Sequence, residues 1–198
     1  MITPGPDLLN RVKKAFMDRG YQHMTMVALS ESCGFTRRSI YNYFANKDEA
    51  YRAMFRHYNH EVIDDAWRRA SEVRRSGGSV LDIVSSLIDV RYGDVWRLLQ
   101  PSPHAAELKG TSFALCIDIM IELARDFQGD FEHLIEEFVA EGRLRIKAAF
   151  TTAQLVQLLT DSARGINQVY PGADPAGLSQ QYRQMCEAVL YGYATEGA

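Results

Sequence analysis

The sequence predicts an all-α protein with an N-terminal three-helix head that carries a helix-turn-helix, followed by a C-terminal helical body. Apolar residues recur at helical spacing along most of the chain, and glycines and capping residues divide that pattern into helix-length segments. No stretch alternates apolar and polar residues in the manner of a strand. The predicted organisation is a head over residues 1–46, a connecting helix over 47–75 and a body over 76–198.

The chain is expected to begin with a mobile tail and one amphipathic helix. Met1–Pro6 contains two prolines and a glycine, which disfavour regular structure. A helix is predicted over Asp7–Arg19, ended by Gly20. Its apolar stripe at helical spacing comprises Leu8, Leu9, Val12, Ala15 and Phe16.

Two short helices joined by a sharp turn are predicted next. Thr25 is placed to cap the first helix and Thr36 the second, because a threonine hydroxyl can accept from a free backbone N–H. Gly34 lies between them, where a helix that stops and turns needs a positive φ. The second helix, Thr36–Asn42, has Ile40 as its one plainly apolar residue and is therefore too polar to be interior.

The polar second helix carries groups suited to nucleic acid. Arg37 and Arg38 lie near its N-terminus, where the helix dipole disfavours cations, and a DNA phosphate backbone with base acceptors would offset this. The alternative is a helical hairpin whose arginines form an ordinary solvated face. The candidate DNA-contacting residues are Thr25, Thr36, Arg37, Arg38, Ser39, Tyr41, Asn42, Tyr43 and Lys47.

From Val12 to about Phe55 the sequence resembles the DNA-binding segment of the TetR family of bacterial transcriptional repressors. Its most recognisable run is SIYNYFANKDEAY, and Arg37 and Arg38 depart from the family, which often has a small residue or glycine there. Cys33 stands where alanine is common. The other matching residues are Ala15, Phe16, Gly20, Tyr21, Thr25, Val27, Leu29, Gly34 and Thr36. The resemblance implies a regulator that is released from a palindromic operator by a small hydrophobic or aromatic effector.

The connecting helix is predicted from Asn46 to about Val73, with Asn46 and Glu49 as a pair similar to a capping box. It is followed by a break at Arg74–Ser79, which contains two adjacent glycines. The first helix of the body is predicted over Ser79–Tyr92, with a kink at Gly93, and a short helix from Pro103 to near Gly110. Thr111–Gly142 is predicted as one helix, or as two separated at Gly129. The last two helices are predicted from Thr151 through Val169, and from Pro175 onward with Asp174 as cap.

The resemblance also assigns roles to the body. The family pairs its last two helices with their copies in a second subunit, and two heads on a two-fold axis can read a palindrome. The expected homodimer contacts are Leu155, Leu158, Leu159, Ile166, Tyr182, Met185 and Val189. The family binds effectors among the middle helices, where the candidate pocket residues are Tyr92, Trp96, Phe113, Cys116, Ile117 and Met120. Each of these could instead simply pack the core.

Composition limits the remaining possibilities. The net charge of −3 divides into +4 for residues 1–75 (13 Lys and Arg against 9 Asp and Glu) and −7 for the rest, which suits a protein that presents one end to nucleic acid. We predict a cytoplasmic protein with no cofactor, metal site, catalytic residues or membrane span. Two alternatives stay open: a DNA-binding regulator without an effector, and a small-molecule-binding or catalytic helical protein that does not bind DNA.

Overall fold

The computed structural model describes residues 1–167 and 176–197. The chain forms two compact units, Met1–Glu61 with Leu98–Leu123, and Val62–Arg97 with Ala124–Ala198. This division differs from the three domains that we predict, because two long helices each contribute residues to both units. The predicted helix end at Val169 and the predicted cap and start at Asp174 and Pro175 lie outside the described residues.

The first unit contains the head and parts of the long helices. Its core is formed by fully buried apolar side chains, among them Val12, Phe16, Leu29, Ile40 and Phe44. The elements are α1 (Pro6–Arg19), α2 (Met26–Cys33), α3 (Arg37–Ile40), the first part of α4 (Lys47–Arg75) and the first part of α7 (Ala105–Ala140).

The predicted caps of α2 and α3 are confirmed. The Thr25 hydroxyl accepts from the Ala28 N–H at 3.1 Å, and the Thr36 hydroxyl accepts from the Ser39 N–H at 3.1 Å. Gly34 has a φ of 71°, in the left-handed region that ends a helix sharply. At the start of α4, the Asn46 side chain accepts from the Glu49 N–H at 2.9 Å. The α3 helix ends at Ile40, two residues before the predicted end.

Helix α7 is longer than we predict. It continues from Ala105 to Ala140, and its one break lies at Cys116, where φ is −126° and ψ is 17°. The expected end near Gly110 is therefore wrong, and of the two alternatives for Thr111–Gly142 the single helix without an end at Gly129 is the one that forms. A glycine inside a helix lowers its stability without ending it when the apolar face continues beyond it.

The buried face of α7 in the first unit also differs from the predicted stripe. Cys116, Ile119 and Leu123 point inward and are at most 2% exposed. Phe113 and Ile117, which we place on the buried face from the sequence, are 54% and 47% exposed. The apolar sector is wide enough to permit either rotation, so periodicity alone does not select the inward residues.

The second unit is a helical body around one apolar core. That core includes four large, fully or almost fully buried aromatic side chains: Phe127, Phe131, Phe138 and Tyr182. Its elements are the latter parts of α4 and α7, α5 (Val80–Ile88), a π-helical turn (Asp89–Gly93), most of α6 (Asp94–Leu99), α8 (Thr152–Ile166), α9 (Leu178–Tyr193) and the strands β1 (Leu144–Ile146) and β2 (Ala194–Glu196).

The body contains a capped helix start at α8 and a two-stranded antiparallel pair. The predicted capping box of α8 is confirmed, because Thr151 accepts from the Gln154 N–H at 3.2 Å while the Gln154 side chain accepts from the Thr151 N–H at 2.9 Å. Strands β1 and β2 pair antiparallel with Leu144 opposite Glu196, and we do not predict them. Three-residue strands are too short to show alternation. None of the helices in the described residues is both long and apolar enough to cross a membrane.

Candidate nucleic-acid interface

The first unit presents a helix-turn-helix, formed by α2, the turn at Gly34 and α3. Arg37 and Arg38 are exposed, and neither forms an ion pair with another described residue. The Thr36 and Ser39 hydroxyls are 2.8 Å apart across the first turn of α3. The cap thus holds the helix start, and both guanidinium groups are open to a partner outside the chain.

The other predicted contact residues also lie at the surface. Thr25, Thr36, Tyr41 and Asn42 are exposed, whereas Ser39, Tyr43 and Lys47 are half-buried. The Tyr43 ring packs edge-on against Phe35, with ring centres 5.6 Å apart. Packing of this kind fixes a ring while its hydroxyl can remain available at the rim.

Lys47 is held more firmly than we predict from the sequence. Its ammonium group donates to the Tyr21 carbonyl at 3.1 Å and lies 4.2 Å above the Tyr21 ring. The Tyr21 hydroxyl in turn donates to the Asp48 carboxylate at 2.5 Å. Burial, followed by this hydrogen bond, raises the pKa of Tyr21. An ammonium group has three N–H donors, so the internal bond leaves capacity for a phosphate.

The segment before α1 is attached to the turn that follows α3. The backbone N–H of Ile2 donates to the Asn42 carbonyl at 2.8 Å. The mobile tail that we predict for Met1–Pro6 therefore has a fixed contact, and α1 begins at Pro6 itself. This contact joins residues 40 positions apart, so helical periodicity carries no signal for it.

The turn after α1 is packed against the start of α7. The Glu107 carboxylate accepts from the Gln22 N–H at 2.5 Å, and the Ser102 hydroxyl donates to the Met17 carbonyl at 2.7 Å. Gly20 has a φ of 73°, and a Cβ there would lie 2.4 Å from Glu107 Oε2 and 2.7 Å from His104 Nδ1. Sequence reasoning misses these positioning residues because their partners are about 85 residues away.

The predicted effector-pocket residues fall in both units. In the first unit, Cys116 is buried, Met120 is half-buried, and Phe113 and Ile117 are exposed. Burial raises the pKa of the Cys116 thiol to about 11, as expected for a packing residue rather than a reactive one. Phe113 and Ile117 are not enclosed within the first unit, and their role in an effector pocket stays a prediction.

In the second unit, Tyr92 is 8% exposed and Trp96 packs at the edge of the core. Tyr92 lies against Phe127, and so does Trp67, with ring centres 6.2 and 5.6 Å from that of Phe127. The indole nitrogen of Trp67 is buried without a hydrogen-bond partner among the described residues. A buried indole N–H normally has an acceptor, so this unpaired donor is an unusual feature of the core.

The predicted dimer residues divide into two groups. Leu155, Leu159 and Tyr182 are 0% exposed in the core of their own unit, so their assignment as contacts with a second subunit is wrong. Leu158 is 36% exposed. The remaining predicted contacts are half-buried at the edge of the core, and they are Ile166, Met185 and Val189. The apolar stripe predicted for each helix contains residues of its inward face together with residues of its outer flank.

Metal-binding groups do not converge in the described part of the chain: no three His, Cys, Asp or Glu side chains are placed to hold one ion. His57 lies 3.3 Å from Glu61 within α4, and His133 lies 3.4 Å from Glu136 within α7. Both contacts are between neighbours on one helix.

An exposed, capped helix with two arginines, presented by a helix-turn-helix, has the geometry and charge of a nucleic-acid interface. Residues 8–54 match the sequence model of the bacterial regulatory proteins of the tetR family. The match covers the helix-turn-helix of the first unit and not the rest of the chain.

Solved structures of regulators have the same fold. The chain is similar to a TetR transcription regulator from Haloarcula marismortui (TM-score 0.70, 14% identity, covering 96% of this chain and 97% of that one). It is also similar to the fatty acid degradation regulator FadR from Bacillus halodurans (0.67, 15%, 96% and 97%). A TetR/AcrR-family regulator from Thermobifida fusca gives 0.59 at 20% identity, covering 94% and 96%. No curated protein matches the chain in sequence.

Proposed function

We propose that the chain is a cytoplasmic, homodimeric repressor that binds a palindromic operator and is released from it by a small hydrophobic or aromatic effector. The observation that carries the proposal is the pair Arg37 and Arg38, exposed on a capped α3 without ion-pair partners in the described residues. Two guanidinium groups opposed by a helix dipole gain most from an anionic partner. Duplex DNA supplies both phosphates and guanine acceptors.

The surface divides into reading and positioning groups. Arg37 and Arg38 are the groups that reach base edges, because an arginine can bind guanine O6 and N7 together. Tyr41, Tyr43 and Lys47 hold phosphates beside them. Thr25, Thr36, Ser39 and Asn42 assist as hydrogen-bonding groups on the same surface.

The dimer is formed by the outer flanks of α8 and α9. The two helices present apolar or small residues at helical spacing, and these are exposed or half-buried in the single chain. On α8 they are Leu158, Ser162, Gly165 and Ile166, and on α9 they are Met185, Ala188, Val189 and Gly192. A Cβ added at Gly165 or Gly192 would meet nothing within 4 Å, so both glycines leave room for a second subunit to approach closely. Two copies of this flank make a four-helix interface, which places two heads on one axis.

The effector half of the proposal rests on the aromatic cluster of the second unit. Trp67, Tyr92 and Phe127 give an apolar, aromatic surface, and the Trp67 indole N–H is a donor that a ligand oxygen could satisfy. A ligand that favours one arrangement of the dimer over another shifts the population away from the DNA-binding state. Helix α4 contributes residues to both compact units and is the connection through which that shift acts.

A regulator without an effector is the second candidate. It is favoured by the position of an open groove of about 490 Å³, which contains none of the predicted pocket residues. The groove lies instead between the end of α7 and the start of α8, lined by Val139, Ile146, Phe150 and their neighbours.

The test of DNA binding is selection from a random duplex library with the full chain at low salt, followed by fluorescence anisotropy on the recovered duplex. Arg37→Ala and Arg38→Ala should each weaken binding by about ten- to a hundredfold, the range for loss of a bidentate base contact. Arg69→Ala is the matched control, an arginine in the second unit that is 59% exposed. Failure to recover any duplex, or equal binding by all three variants, refutes the proposal.

The effector test uses the same recovered duplex. Small apolar and aromatic acids, alcohols and amides are screened for release of the labelled duplex from the wild-type chain. An active compound should lose potency in Trp67→Phe, which keeps an aromatic ring but removes the N–H donor. If no compound releases the duplex, or if Trp67→Phe responds as the wild type does, this effector site is excluded.

A further inference from the structure

The segment Met1–Gly5 lies beside the proposed DNA-reading surface. The Ile2 N–H donates to the Asn42 carbonyl at 2.8 Å, in the turn that follows α3. Carbonyls that follow the last helical turn lack partners within the helix, so an outside donor is favourable there. The bond fixes the segment next to Asn42, which we include among the DNA-contacting residues.

The side chains of this segment are apolar and turned to solvent. Met1 is 83% exposed and Ile2 is 56% exposed, although both belong to a segment that has a fixed backbone contact. Tyr41, beside the anchoring residue, is 39% exposed. Residues 1–6 contain no charged side chain. The side chains of this segment therefore add apolar surface, and no charge, beside an arginine-bearing surface.

We propose that Met1–Gly5 is a second DNA-contacting element, in which the Ile2 side chain packs against the duplex beside the bases read by α3. This inference rests on the proposed DNA binding. The chemistry is apolar contact with a thymine methyl group or a deoxyribose face, which an isoleucine can make and a phosphate cannot. Because the Ile2 side chain carries no charge, its contact increases affinity without releasing further counterions.

The salt dependence separates this contact from those of the charged residues. A lysine or arginine at a phosphate contributes about one unit to the slope of log K against log salt. An isoleucine at a sugar or base contributes affinity through the apolar surface that it buries, and that term is independent of salt. Loss of Ile2 should therefore lower affinity equally at every salt concentration.

The decisive variant is Ile2→Ser, measured by anisotropy on the duplex recovered by selection, at 50 to 200 mM salt. It keeps the N–H that donates to Asn42 and removes the apolar side chain. We expect binding about fivefold weaker at each salt concentration, as for lost burial of part of an aliphatic side chain. Ile121→Ser is the matched control, since Ile121 is 53% exposed in the same compact unit against 56% for Ile2.

A direct contact is tested by cross-linking. A benzophenone amino acid at position 2 should cross-link to the duplex on irradiation, and the same amino acid at position 121 should not. The alternative is that the segment acts only through its hydrogen bond to the Asn42 carbonyl. In that case Ile2→Pro, which lacks the N–H, should weaken binding, and Ile2→Ser should bind as the wild type does.

The outcomes are distinguishable from failure of DNA binding itself. If the wild-type chain binds the duplex and Ile2→Ser binds equally well, the segment is not a DNA-contacting element. Weaker binding by Ile2→Ser without cross-linking at position 2 also overturns the inference, because the segment then acts only through α3. If the wild-type chain recovers no duplex, the proposed function fails first.

Discussion

The guanidinium of Arg52 on α4 holds the carboxylate of Asp118 on α7 through two hydrogen bonds, Nη1 to Oδ1 at 2.8 Å and Nη2 to Oδ2 at 2.6 Å. One turn further along both helices, Arg56 and Glu122 form an ion pair at 2.7 Å. The four-residue step is the same on each helix, so the two pairs specify one register within the first unit. A slip of either helix by one residue would break both.

The first prediction concerns acid stability. The hydrogen bonds from Arg52 hold the pKa of Asp118 below its ordinary value of 3.8. Because the folded pKa is the lower one, the stabilisation is present in full above that ordinary value and is lost as pH falls through the folded value. The Tm difference between the wild type and Asp118→Asn should therefore be constant above about pH 5 and shrink below about pH 4.

Thermal unfolding by circular dichroism from pH 2 to 7 measures this difference. Asp130→Asn is the control, an exposed aspartate on the same helix. The pair is largely solvent-exposed, with side-chain exposures of 37% and 61%, so the effect should be small and should decrease at high salt. A difference that does not change with pH would show that the pair contributes through packing alone.

The second prediction concerns the phosphate contact of Lys47. Lys47→Gln removes one cation, so binding should weaken for all duplexes and the slope of log K against log salt should fall by about one unit. Anisotropy titrations between 50 and 200 mM salt, on the selected duplex and on a scrambled one, measure both effects. Lys109→Gln is the control, a lysine of α7 in the same unit but outside the helix-turn-helix. A change in sequence preference alone, with the slope intact, contradicts the phosphate role.

The third prediction concerns the turn after α1. Gly20→Ala places a Cβ at a φ of 73°, which strains the backbone of any non-glycine residue, and 2.4 Å from Glu107 Oε2, so the carboxylate must move. We expect a loss of about 2–3 kcal/mol in the free energy of unfolding. Urea denaturation measures it, with Gly110→Ala as a control of opposite sign. Gly110 lies inside α7 with nothing within 4 Å, so alanine there should stabilise by about 0.5–1 kcal/mol. Equal stability of the wild type and Gly20→Ala would show that the turn relaxes freely.

The fourth prediction concerns the dimer. Ala188→Glu puts a charge on the proposed flank of α9 and should give a monomer in multi-angle light scattering at micromolar concentration, with helix content unchanged. Ala153→Glu is the matched control, an exposed alanine of α8 outside the proposed flank, and should remain dimeric. A wild-type monomer, or a dimer in both variants, contradicts the proposed interface.

Local signals predicted the head well because its geometry is encoded within a few residues. A threonine three residues before a free N–H, or a glycine where φ must be positive, acts through bonds inside one turn of helix, as Thr25, Thr36 and Gly34 show. The same holds for the Thr151 and Gln154 pair. Exposure of Arg37 and Arg38 was likewise expected, since α3 has too few apolar residues to be interior.

Prediction was weaker where a helix is apolar over much of its circumference. Along α7 the sequence permits Phe113 and Ile117 to face inward as readily as Cys116 and Ile119, and the elements packed beside the helix decide between them. On α8, one apolar stripe contains both the inward Leu155 and the outward Leu158. On α9, one stripe contains both the inward Tyr182 and the outward Met185.

The sequence by itself determined the class of the fold, the helix-turn-helix and its caps, because each depends on residues within about one turn of one another. The tertiary structure alone decided the contacts of Ile2 with Asn42, Gln22 with Glu107 and Arg52 with Asp118. Their partners are 40 to 85 residues apart in the chain. Which of many polar groups meet across such separations depends on how the helices pack, and helical periodicity contains no information about that.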